Sequence, residues 1–123
     1  GHYLGALENF QQTLNWLEDS DARLFKERAK KLRASVTQNF WNDEKGLFVD
    51  AFANGKQSKE FSEHGNAIAL AYNIATPKQT KIVAKHIIKD DANDFIKREN
   101  GMTMVSPAMS YFLHVGLAEN GYP

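Results

Sequence analysis

LAYNIATPKQTKIV, the stretch at residues 70–83, contains a complete connection between two predicted helices. The apolar stripe of the first of them ends at Ile74, just before a Thr-Pro pair. Thr76, Pro77 and Gln79 then supply the N-cap, the proline of the first helical position and the partner residue of a capping box, which together indicate a helix start. The stretch therefore predicts that the third and fourth helices of the chain are joined by a very short link.

The first two helices are joined in the same way. An apolar stripe with spacings of three and four residues predicts a helix over about Tyr3–Leu17. Its members are Leu4, Leu7, Phe10, Leu14 and Leu17. Residues 19–21, Asp-Ser-Asp, offer side-chain oxygens to the free N–H groups of a second helix, whose own stripe ends at Phe40.

The connection from the second helix to the third is long and contains a predicted β-hairpin. After Trp41 come turn residues and a short apolar run, Leu47–Ala53. Asn54-Gly55 then gives a strong two-residue hairpin signal. Ser62 is a suitable N-cap for the third helix, so the hairpin lies between two helices.

The connection from the fourth helix to the fifth is also long, and residues 90–105 are polar and irregular. Ser106-Pro107 repeats the cap-plus-proline start, and the fifth helix runs to about Glu119. Short and long connections therefore alternate along the chain. Antiparallel helical hairpins stacked side by side would place all short links at one end and all long connections at the other. The predicted fold is therefore all-α, with a short β-hairpin insertion. Because long connections in compact domains are usually functional, we expect a site at the end of the fold where the long connections lie.

Composition restricts the fold class and the partners. A chain of 123 residues is enough for one domain. The 15 Lys and Arg residues balance the 15 Asp and Glu residues, so the basic footprint of a nucleic-acid-binding protein is missing. No apolar run approaches the roughly 20 residues of a membrane-spanning helix. The sequence has no Cys, and no two of its His residues have the spacing of metal ligands on one helix face, so we predict neither a metal nor a cofactor.

Three candidate binding residues lie beside the long connections. Trp41 could stack on the apolar face of a sugar ring or, as the alternative, pack beneath the hairpin. Glu63 and His64 lie in the first turn of the third helix, where His64 could donate a hydrogen bond to a substrate hydroxyl and Glu63 could instead stabilise the positive helix end. Asp43 and Glu44 are adjacent turn residues, whereas an inverting glycosidase needs carboxyls about 6.5 to 9.5 Å apart on opposite sides of the bond, so we assign them no catalytic role.

Three stretches of the chain, taken in order, resemble a known family. They are NFWNDEKGLFVD at residues 39–50, FSEHGNAIAL at 61–70 and VSPAMSYF at 105–112. Together they resemble the catalytic region of bacterial α-L-rhamnosidases and related six-hairpin glycosidases, and the resemblance covers essentially the whole chain. It implies an (α/α)6 barrel and the release of terminal rhamnose with inversion, in which one carboxyl is the general acid and another activates water.

The resemblance also implies that residues 1–123 are one domain fragment of such a barrel. In such enzymes the acid lies upstream of the matched region and the base lies downstream of the helix that Ser106-Pro107 opens, so no residue here inherits a catalytic role. Trp41, Glu63 and His64 are expected at the rim of the sugar site. Five helices are fewer than half of the twelve in a closed barrel. We therefore expect an inactive fragment whose exposed flanks favour self-association, from a parent that binds a rhamnose-containing glycan and neither nucleic acid nor membrane.

A helical-repeat protein-interaction module is the alternative function, because stacked helical hairpins also build solenoids. Such repeats recur with a fixed period of about 34 to 47 residues. Helices one and two share no pattern with helices three and four beyond apolar periodicity, which favours the glycosidase. A self-closed helical bundle with a structural role is a third interpretation.

Overall fold

The structure is a computed structural model that describes residues 1–89 and 96–122. Part of the irregular segment predicted at 90–105 therefore lies outside the described residues. The described chain is mostly helical and has short strands, so the predicted all-α class with a β insertion is confirmed. In chain order the elements are α1 (His2–Trp16), α2 (Ala22–Phe40), β1 (Trp41–Asn42), β2 (Leu47–Phe48), β3 (Phe52–Ala53), β4 (Lys56–Gln57), α3 (Glu63–Ala71), α4 (Pro77–Ile88), a 3₁₀ helix (Pro107–Met109) and α5 (Ser110–Glu119).

α1 and α2 form the predicted antiparallel hairpin. The rings of Phe10 and Phe25 meet edge to face with their centroids 4.7 Å apart. Nearer the start of α1 and the end of α2, the Arg33 guanidinium pairs with the Glu8 carboxylate. Residues early in α1 therefore face residues late in α2, as an antiparallel pair requires.

The capping signals in the sequence correspond to capping bonds in the structure. Thr76 and Gln79 form the predicted capping box at the start of α4, where Gln79 Oε1 accepts the Thr76 N–H at 2.8 Å. Ser62 caps α3 by accepting a backbone N–H of its first turn. At α2 the N-cap Asp21 makes no side-chain capping bond, and Asp19 Oδ1 instead accepts the Asp21 N–H at 2.8 Å.

The insertion between α2 and α3 contains two hairpins where one was predicted. β1 pairs with β2 and β3 pairs with β4, both antiparallel. Asn54 and Gly55 connect β3 to β4 with positive φ angles of 52° and 72°, as a type I′ turn requires. The additional hairpin closes where the Asn42 carbonyl accepts the Gly46 N–H at 2.9 Å. Asp50, which interrupts the apolar run, lies between the two hairpins.

α1 and α3 lie side by side and run in the same direction. Gly1 lies against Ile68, and Gly5, one turn later in α1, lies against Tyr72, one turn later in α3. A Cβ atom at Gly5 would lie only 2.3 Å from the Tyr72 ring. Glycine at this position therefore makes room for the Tyr72 ring beside α1.

α3 and α5 also run parallel and form the largest interface that α3 makes. Phe112 lies against His64, and Gly116, one turn later, lies against the Ala67 carbonyl, which a Cβ at Gly116 would approach to 2.9 Å. The predicted pairing of α3 with α4 is therefore the smaller contact. α3 therefore packs mainly on α5 and α1 packs mainly on α2, while α4 packs on α3 and β2.

The core joins all parts of this arrangement. Its fully buried side chains are Leu4 of α1, Leu47 of β2, Leu70 of α3, Val83 of α4 and Met102. Among residues 1–89 and 96–122, no helix combines the length and the apolar character needed to cross a bilayer.

Candidate functional site

The two long connections meet at the start of α3. The Thr103 carbonyl accepts the Glu63 N–H at 2.8 Å, and the Thr103 N–H donates to the Phe61 carbonyl at 3.1 Å. The first turns of α3 and α5 lie together here, since Phe112 lies against His64, and the His2 ring at the start of α1 also reaches this place. We call this the open end, and it is where the sequence predicts a site.

Aromatic rings from all three parallel helices come together at the open end. The His64 ring centroid lies 6.0 Å from that of His2 and 6.5 Å from that of Phe112. The rings of His2 and Phe112 meet edge to face at 4.8 Å, and the Tyr72 hydroxyl lies 3.4 Å from His2 Nδ1. We call these four rings, those of His2, His64, Tyr72 and Phe112, the aromatic wall of the open end.

His64 is half-buried, and its environment favours the neutral imidazole. Burial is the main cause that lowers the pKa of His64, and the neighbouring His2 lowers it further, while the negative charge of Asp50 acts in the opposite direction. Within the described residues, the buried Nδ1 atom of His64 has no hydrogen-bond partner. A neutral imidazole can donate from one nitrogen and accept at the other, which suits a hydroxyl-bearing ligand.

A cleft of about 370 Å³ extends from His64 along α3. Its polar lining includes Asp50, Ser62 and His64, and the Ser62 hydroxyl donates to Asp50 Oδ1 at 2.7 Å. Its apolar lining includes Phe40 and Phe48. Apolar walls with a few convergent polar groups are typical of sites for small molecules, and a sugar ring has both apolar faces and hydroxyl groups.

Glu63 is only 2% exposed and its carboxylate is already engaged. Oε1 accepts a hydrogen bond from Arg98 Nε at 2.7 Å, and Oε2 accepts the Val105 N–H at 2.7 Å. A sugar hydroxyl would have to displace one of these donors. Binding of substrate by Glu63 stays a prediction, and its geometry is that of a residue that holds the 96–105 segment against α3.

Trp41 lies behind the cleft rather than among the residues that line it. Its ring meets that of Phe48 with the centroids 5.1 Å apart, and its Nε1 donates to Asp43 Oδ1 at 2.7 Å. Asp43 and Glu44 are exposed neighbours in the turn after β1. The role of Trp41 in sugar binding also stays a prediction, and its present contacts support the wall of the cleft through Phe48.

Two residues that the sequence does not single out organise the open end. Asp50 bonds to Ser62, and Arg98 bonds to Glu63. The aspartate interrupts an apolar run at the end of the stretch 39–50 that carries the family resemblance, whereas the arginine lies in a polar segment without a motif. Asp50 could have been suspected because a charge interrupts an otherwise apolar run, whereas no local signal marks Arg98.

No group of three or more His, Cys, Asp or Glu side chains in the described ranges could hold a metal ion. The two closest imidazoles, those of His2 and His64, belong instead to the aromatic wall.

Comparison with known proteins agrees with this architecture. The family model for trehalase matches residues 2–110, whereas no curated protein and no solved structure matches the chain. The chain is a member of the six-hairpin glycosidase superfamily, as the resemblance implied. Within that superfamily it belongs to the trehalase family. The predicted glycosidase class is therefore supported, and the rhamnosidase specificity stays a prediction.

Proposed function

We propose that the chain forms part of the sugar-binding end of an inverting glycoside hydrolase that acts on trehalose. The observation that carries this proposal is the trehalase match, which extends from the start of α1 to the start of α5 and so includes both long connections and the first turn of α3. A trehalase, by its name, hydrolyses trehalose, a disaccharide of two glucose units. The match also favours a glycosidase over a helical-repeat interaction module.

The residues of the cleft suit the recognition of a sugar. Asp50 is a carboxylate that accepts hydrogen bonds, and His64 is a neutral ring that both donates and accepts. Phe40, which is only partly buried, supplies apolar surface on which the C–H face of a pyranose can pack. One wall of a site makes few contacts with a sugar, so we expect weak binding, with a Kd in the millimolar range. A Kd of 1 mM corresponds to only about 4 kcal/mol.

We propose that the two catalytic carboxyls are not both supplied by residues 1–123. Inversion needs two carboxyl groups that face each other across the scissile bond. Among the described residues, Asp50 is the carboxylate that lines the cleft, and Glu63 is held by Arg98. Asp43 and Glu44 are exposed beside each other in a turn. The facing carboxyl would therefore come from another part of the barrel.

The exposed flanks of the fold support the proposal that residues 1–123 are one part of an (α/α)6 barrel. Tyr3 in α1 and Leu17 directly after it are 65% and 70% exposed. α5 has apolar residues on most of its sides, yet only its Gly116 is buried, whereas a helix of that composition is normally covered on most sides. Further helices would cover these faces in the barrel. The isolated chain is expected to self-associate, and sedimentation velocity would show a concentration-dependent increase in mass, whereas a strict monomer would contradict this.

α-L-Rhamnosidase activity is the second candidate function. It is favoured by the order and spacing of the three stretches at 39–50, 61–70 and 105–112. Saturation-transfer NMR separates the two candidates, because trehalose and methyl α-L-rhamnoside differ in their hydroxyl configuration. We expect a signal from trehalose that His64→Ala removes, while His114→Ala, at an exposed position of α5, leaves it unchanged. A signal from the rhamnoside alone would replace the trehalase proposal by the second candidate.

The proposed division of the catalytic residues is tested by hydrolysis assays on the 123-residue chain. We expect no turnover of trehalose or of an aryl α-L-rhamnoside. Turnover that a single carboxyl substitution, such as Asp50→Asn, abolishes would show that residues 1–123 contain the catalytic centre and would contradict the proposal.

A further inference from the structure

Glu63 and Arg98 form a buried ion pair at the open end. Glu63 is 2% exposed and Arg98 is 9% exposed. Arg98 Nη2 lies 2.5 Å from Glu63 Oε1, and Arg98 Nε donates to the same oxygen at 2.7 Å. Burying two opposite charges is costly unless their remaining hydrogen-bonding groups are also satisfied.

The other atoms of the pair connect three separate parts of the chain. Arg98 donates to the carbonyls of Ile87, at 2.7 Å, and of Lys89, at the end of α4. A cation at this position is favourable because the carboxyl end of a helix carries partial negative charge. Glu63, in the first turn of α3, accepts the N–H of Val105 from the segment that leads to α5. The ion pair therefore links the start of α3, the end of α4 and the approach to α5.

Backbone pairing holds the same segment against α3. Thr103 exchanges hydrogen bonds with Phe61 and Glu63, and the Met102 side chain beside it is fully buried. Only Ser106 and the 3₁₀ turn Pro107–Met109 separate this segment from α5. The position of Val105 thus determines where α5 begins.

We propose that the Glu63–Arg98 pair is a clamp that positions the aromatic wall of the site. By fixing Val105 against the first turn of α3, the clamp sets the start of α5 and so places the Phe112 ring beside His64. Glu63 and Arg98 are positioning residues in this view, and neither contacts the sugar. Only the identity of the ligand rests on the proposed function, because the clamp itself is a property of the fold.

Amide hydrogen exchange of the 123-residue chain tests the clamp directly. In Arg98→Met we expect exchange of the Thr103 and Val105 amides to become at least about tenfold faster, because release of the segment opens it locally in addition to any loss of global stability. The nuclear Overhauser contact between the His64 and Phe112 rings should also be lost. Lys85→Met, which removes an exposed cation from α4, is the matched control and should change neither measurement.

A second variant keeps the test decisive if Arg98→Met does not fold. The double variant Glu63→Met/Arg98→Met removes both buried charges and keeps similar apolar volume, which is often tolerated. Faster exchange at Thr103 and Val105, with loss of the ring contact, would support the clamp in this variant too. Unchanged exchange and an intact His64–Phe112 contact in either folded variant would overturn it. Neither measurement requires a sugar, so failure of the clamp and failure of the trehalose proposal are separate results.

Discussion

The two long connections of the chain are both anchored on the first turns of α3, one by a neutral side chain and the other by a charged one. Segment 41–62 is held by a neutral amide, because Asn66 is fully buried and its side chain accepts the Phe48 N–H and donates to the Phe48 carbonyl, both at 2.9 Å. Segment 96–105 is held by a charged group, the carboxylate of Glu63. The two anchors are three residues apart, so they lie on the same side of the helix.

This difference indicates how strongly each anchor should affect the fold. A neutral amide that loses its partner leaves unpaired polar groups, whereas an ion pair that loses one partner leaves a buried charge, which is more costly. Substitution of the charged anchor, Glu63, should therefore lower the free energy of unfolding more than substitution of the neutral anchor, Asn66.

The largest effect is expected for Glu63→Met, which leaves the Arg98 guanidinium buried without its carboxylate. Loss of one partner of a buried pair costs about 3 to 5 kcal/mol of the free energy of unfolding. Urea denaturation followed by circular dichroism measures this change. Glu8→Met is the matched control, because the half-exposed Glu8–Arg33 pair is worth only about 0 to 1 kcal/mol. Equal costs for the two variants would contradict the assignment of the clamp as a buried pair.

A smaller loss is expected for Asn66→Leu, which leaves the N–H and carbonyl of Phe48 unpaired in the interior. Each unsatisfied buried group costs about 1 to 3 kcal/mol, but part of the loss is recovered by apolar packing, so we expect about 2 to 3 kcal/mol in all. The same denaturation experiment applies. Asn39→Leu, which removes an exposed bond to Ser35, should change stability by less than about 0.5 kcal/mol. A loss for Asn66→Leu as small as that of the control would show that segment 41–62 is anchored elsewhere.

The contact of α5 with α3 gives the next prediction. Gly116→Ala places a Cβ 2.9 Å from the Ala67 carbonyl oxygen, and overpacking of this kind costs about 1 to 3 kcal/mol. Alanine regains about 1 kcal/mol through its higher helix propensity, so the net loss should be about 1 kcal/mol. Thermal unfolding measures it. A gain in stability would show that α5 does not approach α3 so closely.

The smallest effect concerns pH and His64. Because burial lowers the pKa of His64 in the folded chain, the unfolded chain binds more protons as the pH falls below the ordinary value of about 6.5. The contribution of His64 is therefore complete above that pH and is lost as the pH falls through the lowered folded pKa. His64→Phe should weaken the decrease in stability between pH 7.5 and 5.5, measured by calorimetry. An unchanged pH dependence would show that His64 remains as well solvated when folded as when unfolded.

The sequence predicts those parts of the fold that local chemistry determines. The caps at Ser62 and Thr76 and the turn at Asn54-Gly55 each depend on residues within a few positions of one another, and all three are present in the structure. Glycine at position 65 is compatible with close packing, and an amide at position 66 can bond a nearby backbone carbonyl. Asn66 does bond the Phe48 carbonyl, and a Cβ at Gly65 would lie 3.1 Å from Asp50.

The features that the sequence does not predict depend on distant residues. Arg98 is separated from Glu63 by 35 residues, and its polar surroundings in the sequence give no sign that its side chain is buried. The preference of α3 for α5 over α4 depends on Gly116, whose position inside a helical pattern indicates close packing but not with which helix. The sequence predicts His64 at the correct end of the fold. Asp50 joins the candidate site only because the first hairpin packs against α3, which no local pattern predicts.

The most direct test of the account is to map where trehalose contacts the chain by chemical-shift perturbation in the ¹⁵N-labelled protein. We predict the largest shifts at the open end, at Asp50, Ser62, His64 and Gly65, which line the cleft. A second groove at the opposite end, lined by Asn73, Lys81 and Asn120, serves as an internal control and should remain unchanged. Shifts confined to that opposite groove, or no shifts at millimolar trehalose, would contradict the assignment of the open end as a sugar site.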